Sequence, residues 1–168
     1  MVMKPKKHDP TRLRICVGFH GLNKYTITYS FTTSFVDEII NVVGDECYDF
    51  IDGFSRYNQL PIAEECQEKI TFVTLAYKVI PFGLKNAPTI FSRIVIKYFQ
   101  EYIYKIMETY FHDWTNYTLL KYHIQWLCLI LEICRQIQLS LNIKKCIFNA
   151  LIGILLGHVV SKDGIKVT

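Results

Sequence analysis

The chain has 168 residues, enough for one ordinary domain or two small subdomains sharing a core, and its 51% apolar and 14% aromatic content excludes a disordered polypeptide. The net charge of +4 is too small to argue for a nucleic-acid partner by itself, although Lys4, Lys6, Lys7, Arg12 and Arg14 crowd the N-terminus and Lys144, Lys145, Lys162 and Lys166 the last quarter. The six cysteines (Cys16, Cys47, Cys66, Cys128, Cys134, Cys146) form no Cys-x-x-Cys pair and read as reduced, buried thiols of an intracellular protein, cytoplasmic or nuclear. No apolar run suits a secretory signal or approaches the ~18 residues of a membrane span, so neither secretion nor membrane insertion is expected.

Residues 1–12, basic and carrying Pro5 and Pro10, read as a loose lead-in. Arg14–Phe19 alternates like a strand that Gly21 breaks, and Thr26–Thr33 is extended. Ser34 and Asp37 form a variant capping box for a helix whose apolar stripe is Phe35, Ile39, Ile40 and Val43, ending at Gly44. Cys47–Asp52 is an apolar strand ending in a carboxylate, and Gly53 and Ser55 let the chain turn there. Ile70–Thr74 and Tyr77–Ile80 read as two short strands, joined at Leu75-Ala76 by a turn without the Gly, Asn or Asp that tight hairpins favour. Asn86 can cap a long helix with Pro88 in its first turn and a buried face of Ile90, Ile94, Val95, Tyr98, Tyr102 and Ile106.

Tyr110-Phe111-His112-Asp113-Trp114 then reads as the tip of a β-hairpin, flanked by Ile103, Ile106 and Met107 before it and Tyr117 after. A helix follows from about Leu119 to Gln138, with Ile124, Leu127, Cys128, Leu131 and Cys134 at helical spacing. Strands are predicted at Cys146–Phe148, Ile152–Val160 and Ile165–Val167. The mixture of hairpins and helices predicts an α+β fold with helices packed on one face of a mostly antiparallel sheet, leaving the carboxylates on the open face. Two strand ends bearing Asp52 and Asp113 side by side suit a pair of divalent cations, the arrangement used for in-line displacement at phosphorus.

Pro81-Phe82-Gly83-Leu84-Lys85-Asn86-Ala87-Pro88 resembles the Phe-Gly-Leu-x-Asn-Ala-Pro signature of the reverse transcriptases of gypsy-type LTR retrotransposons. Further blocks follow in that family's order: Arg14-Ile15-Cys16-Val17 with Leu22-Asn23-Lys24, Ile51-Asp52 with Tyr57-Asn58-Gln59, and Tyr110-Phe111-His112-Asp113 at the Tyr-x-Asp-Asp box. Leu141-Asn142 with Lys144-Lys145-Cys146 and Phe148, and Leu156-Gly157-His158-Val159-Val160-Ser161, complete a resemblance covering about residues 4–168. It implies a right-hand polymerase palm plus partial fingers, with fingers at about 1–46 and 60–84 and palm at about 47–59 and 85–168. The expected activity is addition of deoxynucleotides (dNTPs) to a primer on an RNA or DNA template. Thumb, RNase H and integrase segments are expected from the rest of a retrotransposon polyprotein.

The resemblance also implies roles. Asp52 and Asp113 match the aspartates that bind two magnesium ions. Arg14, Tyr57, Gln59, Phe82, Gly83 and Lys145 match the nucleotide site, and Leu156, Gly157 and His158 the turn that supports the primer. His112 stands where the family has an aspartate, and imidazole is a poor ligand for magnesium. Losing one metal would cost about a thousandfold or more in rate. Arg56 replaces a family glycine, Gly18 and His20 replace an Asp and an Arg, and residues between Thr74 and Tyr77 are fewer than usual. The expectation is a polymerase impaired in magnesium. The alternatives are a non-catalytic relic that at most binds nucleic acid, and another two-metal phosphotransferase such as a nuclease.

Overall fold

The computed structural model describes residues 2–6, 9–30, 45–70, 77–110 and 113–167. The chain divides into two compact units: Met1–Ser30 with Tyr57–Ile90, and Phe31–Arg56 with Phe91–Thr168. The predicted helix after Ser34 lies outside the described residues.

In the first unit, β1 (Val2–Lys6) and β2 (Asp9–Cys16) form an antiparallel ribbon, with Val2 opposite Cys16 and a register shift between Pro5 and Lys6. The expected loose lead-in is therefore a hairpin. Both strands of a two-stranded ribbon are edges, where proline and lysine are tolerated. Gly21 does not end a strand; it lies inside α1 (His20–Tyr25), which starts after the buried Phe19.

Two asparagines then do the work of a missing strand. Asn23 donates from Nδ2 to the Gly83 carbonyl at 2.7 Å and accepts from the Lys85 N–H at 2.9 Å. Asn86 donates from Nδ2 to the Ile27 carbonyl at 2.8 Å and accepts from the Tyr29 N–H at 3.1 Å. The Asn86 side chain is thus spent on the segment before it, while its carbonyl accepts from Ile90 N–H at 3.0 Å as the helix begins. The short α2 (Glu64–Gln67) runs into a 3₁₀ turn at Glu68–Ile70, so Ile70 does not open a strand. Glu64 and Glu65 in its first turn favour helix through the backbone dipole. Tyr77–Ile80 makes one antiparallel bridge, Val79 opposite Pro61, rather than a strand.

The helix α3 (Ala87–Phe99) buries Ala87, Phe91, Val95 and Phe99; of the predicted face Val95 is buried, Ile90 and Ile94 are only partly so, and Tyr98 is exposed. The chain leaves the helix at Phe99, so Tyr102 and Ile106 are not part of it.

The second unit is built on β3 (Cys47–Asp52), between β5 (Asp113–Thr118) and β6 (Ile147–Ala150), with β4 (Met107–Tyr110) outside β5. This sheet is antiparallel throughout. Alternation puts Cys47, Asp49 and Ile51 on one face and Tyr48, Phe50 and Asp52 on the other. On the first face, Trp114 opposes Ile51 and lies 6.1 Å from Phe91 and 5.9 Å from Phe99, ring centre to ring centre. That aromatic cluster selects the buried stripe of α3, since stacked rings fill more of a core than branched aliphatics.

The same face receives α4 (His123–Gln136), entered through a 3₁₀ turn at Leu120–Tyr122. Its buried residues are His123, Ile130 and Cys134, while Ile124 is 69% exposed. The predicted stripe is thus rotated toward His123. On the opposite face, Tyr48, Tyr117, Leu155 and Val160 form a buried cluster beneath a second antiparallel sheet. That sheet comprises β7 (Ile152–Leu155), β8 (His158–Ser161) and β9 (Gly164–Val167). The predicted Ile152–Val160 strand is folded in two at Leu156 (φ 50°) and Gly157 (φ 80°), the paired positive angles of a tight hairpin turn. The face bearing Asp52 is therefore covered at its Tyr48 end.

Candidate active site

β3 delivers Asp52 to the edge of this covering. In the β3–β5 ladder the partner of Asp52 is Asp113, in a run that extends unbroken to Cys47 opposite Thr118. Directly opposed residues of an antiparallel pair stand about 4.5–5.5 Å apart at Cα. Tyr110 in turn opposes Asp113, and Phe111 and His112 between them lie outside the described residues.

The end of β3 is pinned from the other side by residues 140–146. Phe54 N–H donates to Ser140 O, Gly53 bridges Leu141, and Asn142 N–H donates to Asp52 O at 2.8 Å. The Asn142 amide also reaches Asp52 Oδ2 at 3.4 Å. Cys146 Sγ accepts from Asp52 N–H at 3.4 Å and approaches the Asp52 carbonyl at 3.7 Å. Lys145 Nζ lies 3.3 Å from Asp52 Oδ2, and Arg56 Nε lies 3.9 Å from Oδ1. Asp52 Oδ1 is buried and has no hydrogen-bond partner. A carboxylate oxygen left so is a hard, unused ligand, and a second aspartate at the facing ladder position suits an oxygen-preferring dication. Among the described residues no cluster of three or more His, Cys, Asp or Glu side chains could hold a metal ion.

In the first unit, the Tyr57 ring meets Phe82 edge to face at 5.0 Å, at the start of the 3₁₀ turn Arg56–Gln59 that also carries Gln59. Phe82 is half-exposed. Gly83 has φ 104°, and a Cβ there would sit 3.4 Å from both the Val17 carbonyl and the Phe19 ring. The motif glycine thus serves a left-handed turn pressed close to backbone. Arg14 lies on β2 opposite Lys4. Leu156, Gly157 and His158 form the β7–β8 turn, where His158 Nδ1 is 3.1 Å from the Leu156 carbonyl.

Behind the sheet lies a polar group that sequence reading missed. Asp49 and His123 are buried, with His123 Nε2 3.4 Å from Asp49 Oδ1. His123 Nδ1 is 3.3 Å from Cys47 Sγ, whose thiol donates to Asn149 Oδ1 at 3.0 Å, and Asn149 N–H donates to Asp49 Oδ1 at 2.9 Å. Burial pushes the Asp49 carboxyl above its usual range against the pull of the Asn149 N–H and His123, and burial with the Asp49 charge raises the Cys47 thiol. The signal was available: Asp49 shares a face with Cys47 and Ile51, and an inward carboxylate requires a partner.

No family model matches the chain. The Pol polyprotein of transposon opus from Drosophila melanogaster, a retrovirus-related protein, is 31% identical over 170 residues, 97% of this chain and 17% of that protein. An RNA-directed DNA polymerase homolog from Oenothera berteroana is 30% identical over 129 residues, 71% of this chain and 91% of that protein. Among solved structures, a foamy viral protease-reverse transcriptase in complex with RNA/DNA hybrid superposes with a TM-score of 0.84. That match has 18% identity over 99% of this chain and 23% of that chain. The fold is thus the α+β palm architecture of an RNA-directed DNA polymerase domain. More particularly, the chain belongs to the reverse transcriptases of LTR retrotransposons. It spans about a sixth of the length of the transposon polyproteins it matches. Among the described residues no helix is long and apolar enough to cross a membrane.

Proposed function

We propose that about residues 47–59 and 85–168 are a polymerase palm and about 1–46 and 60–84 its fingers, in a domain that extends a primer on an RNA or DNA template with deoxynucleotides. The observation that carries this reading is the ladder pairing of Asp52 with Asp113 beside His112, in a chain of reverse-transcriptase descent. Asp52 and Asp113 would hold two divalent ions, which supply charge stabilisation for in-line displacement when bound. The chain's own groups do the rest. Tyr57, braced edge-on by Phe82, bounds the sugar of the incoming nucleotide. Gln59 and the backbone at Gly83 face nucleotide and template. Lys145, 62% exposed, can turn from Asp52 to a polyphosphate, and Arg14 offers a guanidinium for bidentate phosphate contact. The Leu156-Gly157-His158 turn supports the primer end.

His112 in the Tyr-x-Asp-Asp box makes this copy slow in magnesium. The test is primer extension by the parent and His112→Asp, each in magnesium and in manganese. His112→Asp is expected to raise the magnesium rate by about a thousandfold or more. Equal robust rates would remove the impairment. Extension by neither protein, with primer–template still bound, would leave a nucleic-acid-binding relic.

A further inference from the structure

Asp52 sits in an uneven balance of charge. Its side chain is 13% exposed and has Lys145 Nζ at 3.3 Å from one oxygen and Arg56 Nε at 3.9 Å from the other. The two cations are held differently. Lys145 lies on the turn after Asn142, is mostly exposed, and swings on a flexible stem. Arg56 follows Asp52 by four residues, and its side chain is 30% exposed. Ser55 (φ 52°) and Arg56 (φ 46°) are consecutive residues in the left-handed region. Residues with a Cβ enter that region at a cost that glycine avoids, and two in succession are unusual. The conformation doubles the chain back at the end of β3 and brings the guanidinium toward the carboxylate four residues earlier. The oxygen it faces, Oδ1, is the buried one without a hydrogen-bond partner. At 3.9 Å the contact is a through-space charge pairing and leaves the oxygen's lone pairs unused.

We infer that Arg56 is a built-in counter-ion for Asp52, occupying the charge demand that a divalent cation would otherwise meet and so weakening divalent binding at this carboxylate. The inference rests on the reading of Asp52 as a metal ligand. It makes Arg56 a determinant of ion affinity and not a catalytic residue. A guanidinium is never deprotonated at working pH, so the competition is constant and screened only by salt.

The test is titration of the full chain with Mn²⁺ alone, without nucleic acid or nucleotide, read by electron paramagnetic resonance of the free ion. Arg56→Gln removes the charge and keeps the side-chain bulk, Arg56→Gly also relieves the backbone, and Arg56→Lys keeps the charge. The first two are expected to tighten Mn²⁺ binding about tenfold at low salt, as loss of one nearby like charge implies, and Arg56→Lys to stay near the parent. Adding Asp52→Asn to Arg56→Gln should abolish the gain. If Arg56→Gln binds Mn²⁺ no better than the parent while Asp52→Asn weakens binding in both backgrounds, Arg56 is not the counter-ion and Asp52 remains a ligand. If Asp52→Asn changes nothing in any background, the inference and the reading beneath it fall together. Circular dichroism of each variant confirms the fold, and Arg56→Gln decides the matter where Arg56→Gly does not fold.

Discussion

Gly153→Ala should be among the most damaging single-methyl additions in the second unit. Gly153 on β7 opposes Val160 on β8 and faces the ring of Phe50 from β3. A Cβ at that position would lie 2.0 Å from Phe50 Cε2 and Cζ, against the 3.4 Å at which ordinary contact begins. Ring or strand must therefore give by about 1.4 Å, the difference of those two distances. The ring is partly buried, with the fully buried Tyr48 stacked at 6.4 Å on one side of it. Overpacking of this kind costs about 3 kcal/mol, at the upper end of its usual range, and lowers the Tm of a chain this size by about 6–12 °C. Gly157→Ala is the control, because nothing lies within 4 Å of its Cβ position and only its φ of 80° is strained. It should cost about 1 kcal/mol. Phe50→Leu combined with Gly153→Ala should recover part of the loss, giving a coupling of about 1 kcal/mol or more in a double-mutant cycle. Thermal and urea unfolding of the five proteins (parent, Gly153→Ala, Phe50→Leu, the double variant and Gly157→Ala) provide the numbers. A Gly153→Ala protein as stable as Gly157→Ala, or one that Phe50→Leu does not rescue, would refute the close approach of β7 to β3.

Asp49 gives a pH signature. Burial raises its carboxyl, so the folded state favours the neutral form, a stabilisation complete below the unfolded value of about 4 and lost as pH rises through the raised one. The facing groups are His123, Asn149, Asn116 and Cys47. The stability advantage of the parent over Asp49→Asn should therefore shrink from pH 4 to pH 7 in urea titrations; an advantage that grows would mean that attraction to His123 outweighs burial. The thiols give a second signature. Cys128 is exposed, whereas Cys134 is buried and its thiol is pushed up to about 12, so its thiolate fraction is about a thousandfold below that of an ordinary cysteine. Alkylation of the folded chain at neutral pH should label Cys128 first and spare Cys134 and Cys47, and early loss of Cys134 would contradict its burial.

Much of this architecture was written in local pattern. The run Cys47–Asp52 was legible as a strand, and its carboxylate end marked where the ladder to β5 stops. The break at Gly83 fell where the backbone takes positive φ, whereas the apolar run Ile152–Val160 hid the turn at Gly157, which only the family resemblance marked. What pattern concealed were choices made by distant partners. Along α3 Val95 was placed correctly, but Ile90 and Ile94 look as apolar as Phe91 and Phe99, and it is the latter two that pack against Trp114. The face of α4 was misplaced because His123 counted as polar until Asp49 supplied its reason to be inside. The N-terminal ribbon was concealed by lysines and prolines, whose usual meaning is reversed where every strand is an edge. At the site, Asp52 was legible as a strand-end carboxylate, but the return of Arg56 onto it depends on two left-handed residues that no propensity foretells.

The amide stitches of the first unit carry a chemical clock. Asn23 and Asn86 each present Nδ2 to one carbonyl and Oδ1 to one N–H. Slow hydrolytic deamidation replaces that –NH₂ with an oxygen, so the carbonyls of Gly83 and Ile27 would each confront an acceptor where they had a donor. An ageing molecule would loosen the motif loop without a single coding change.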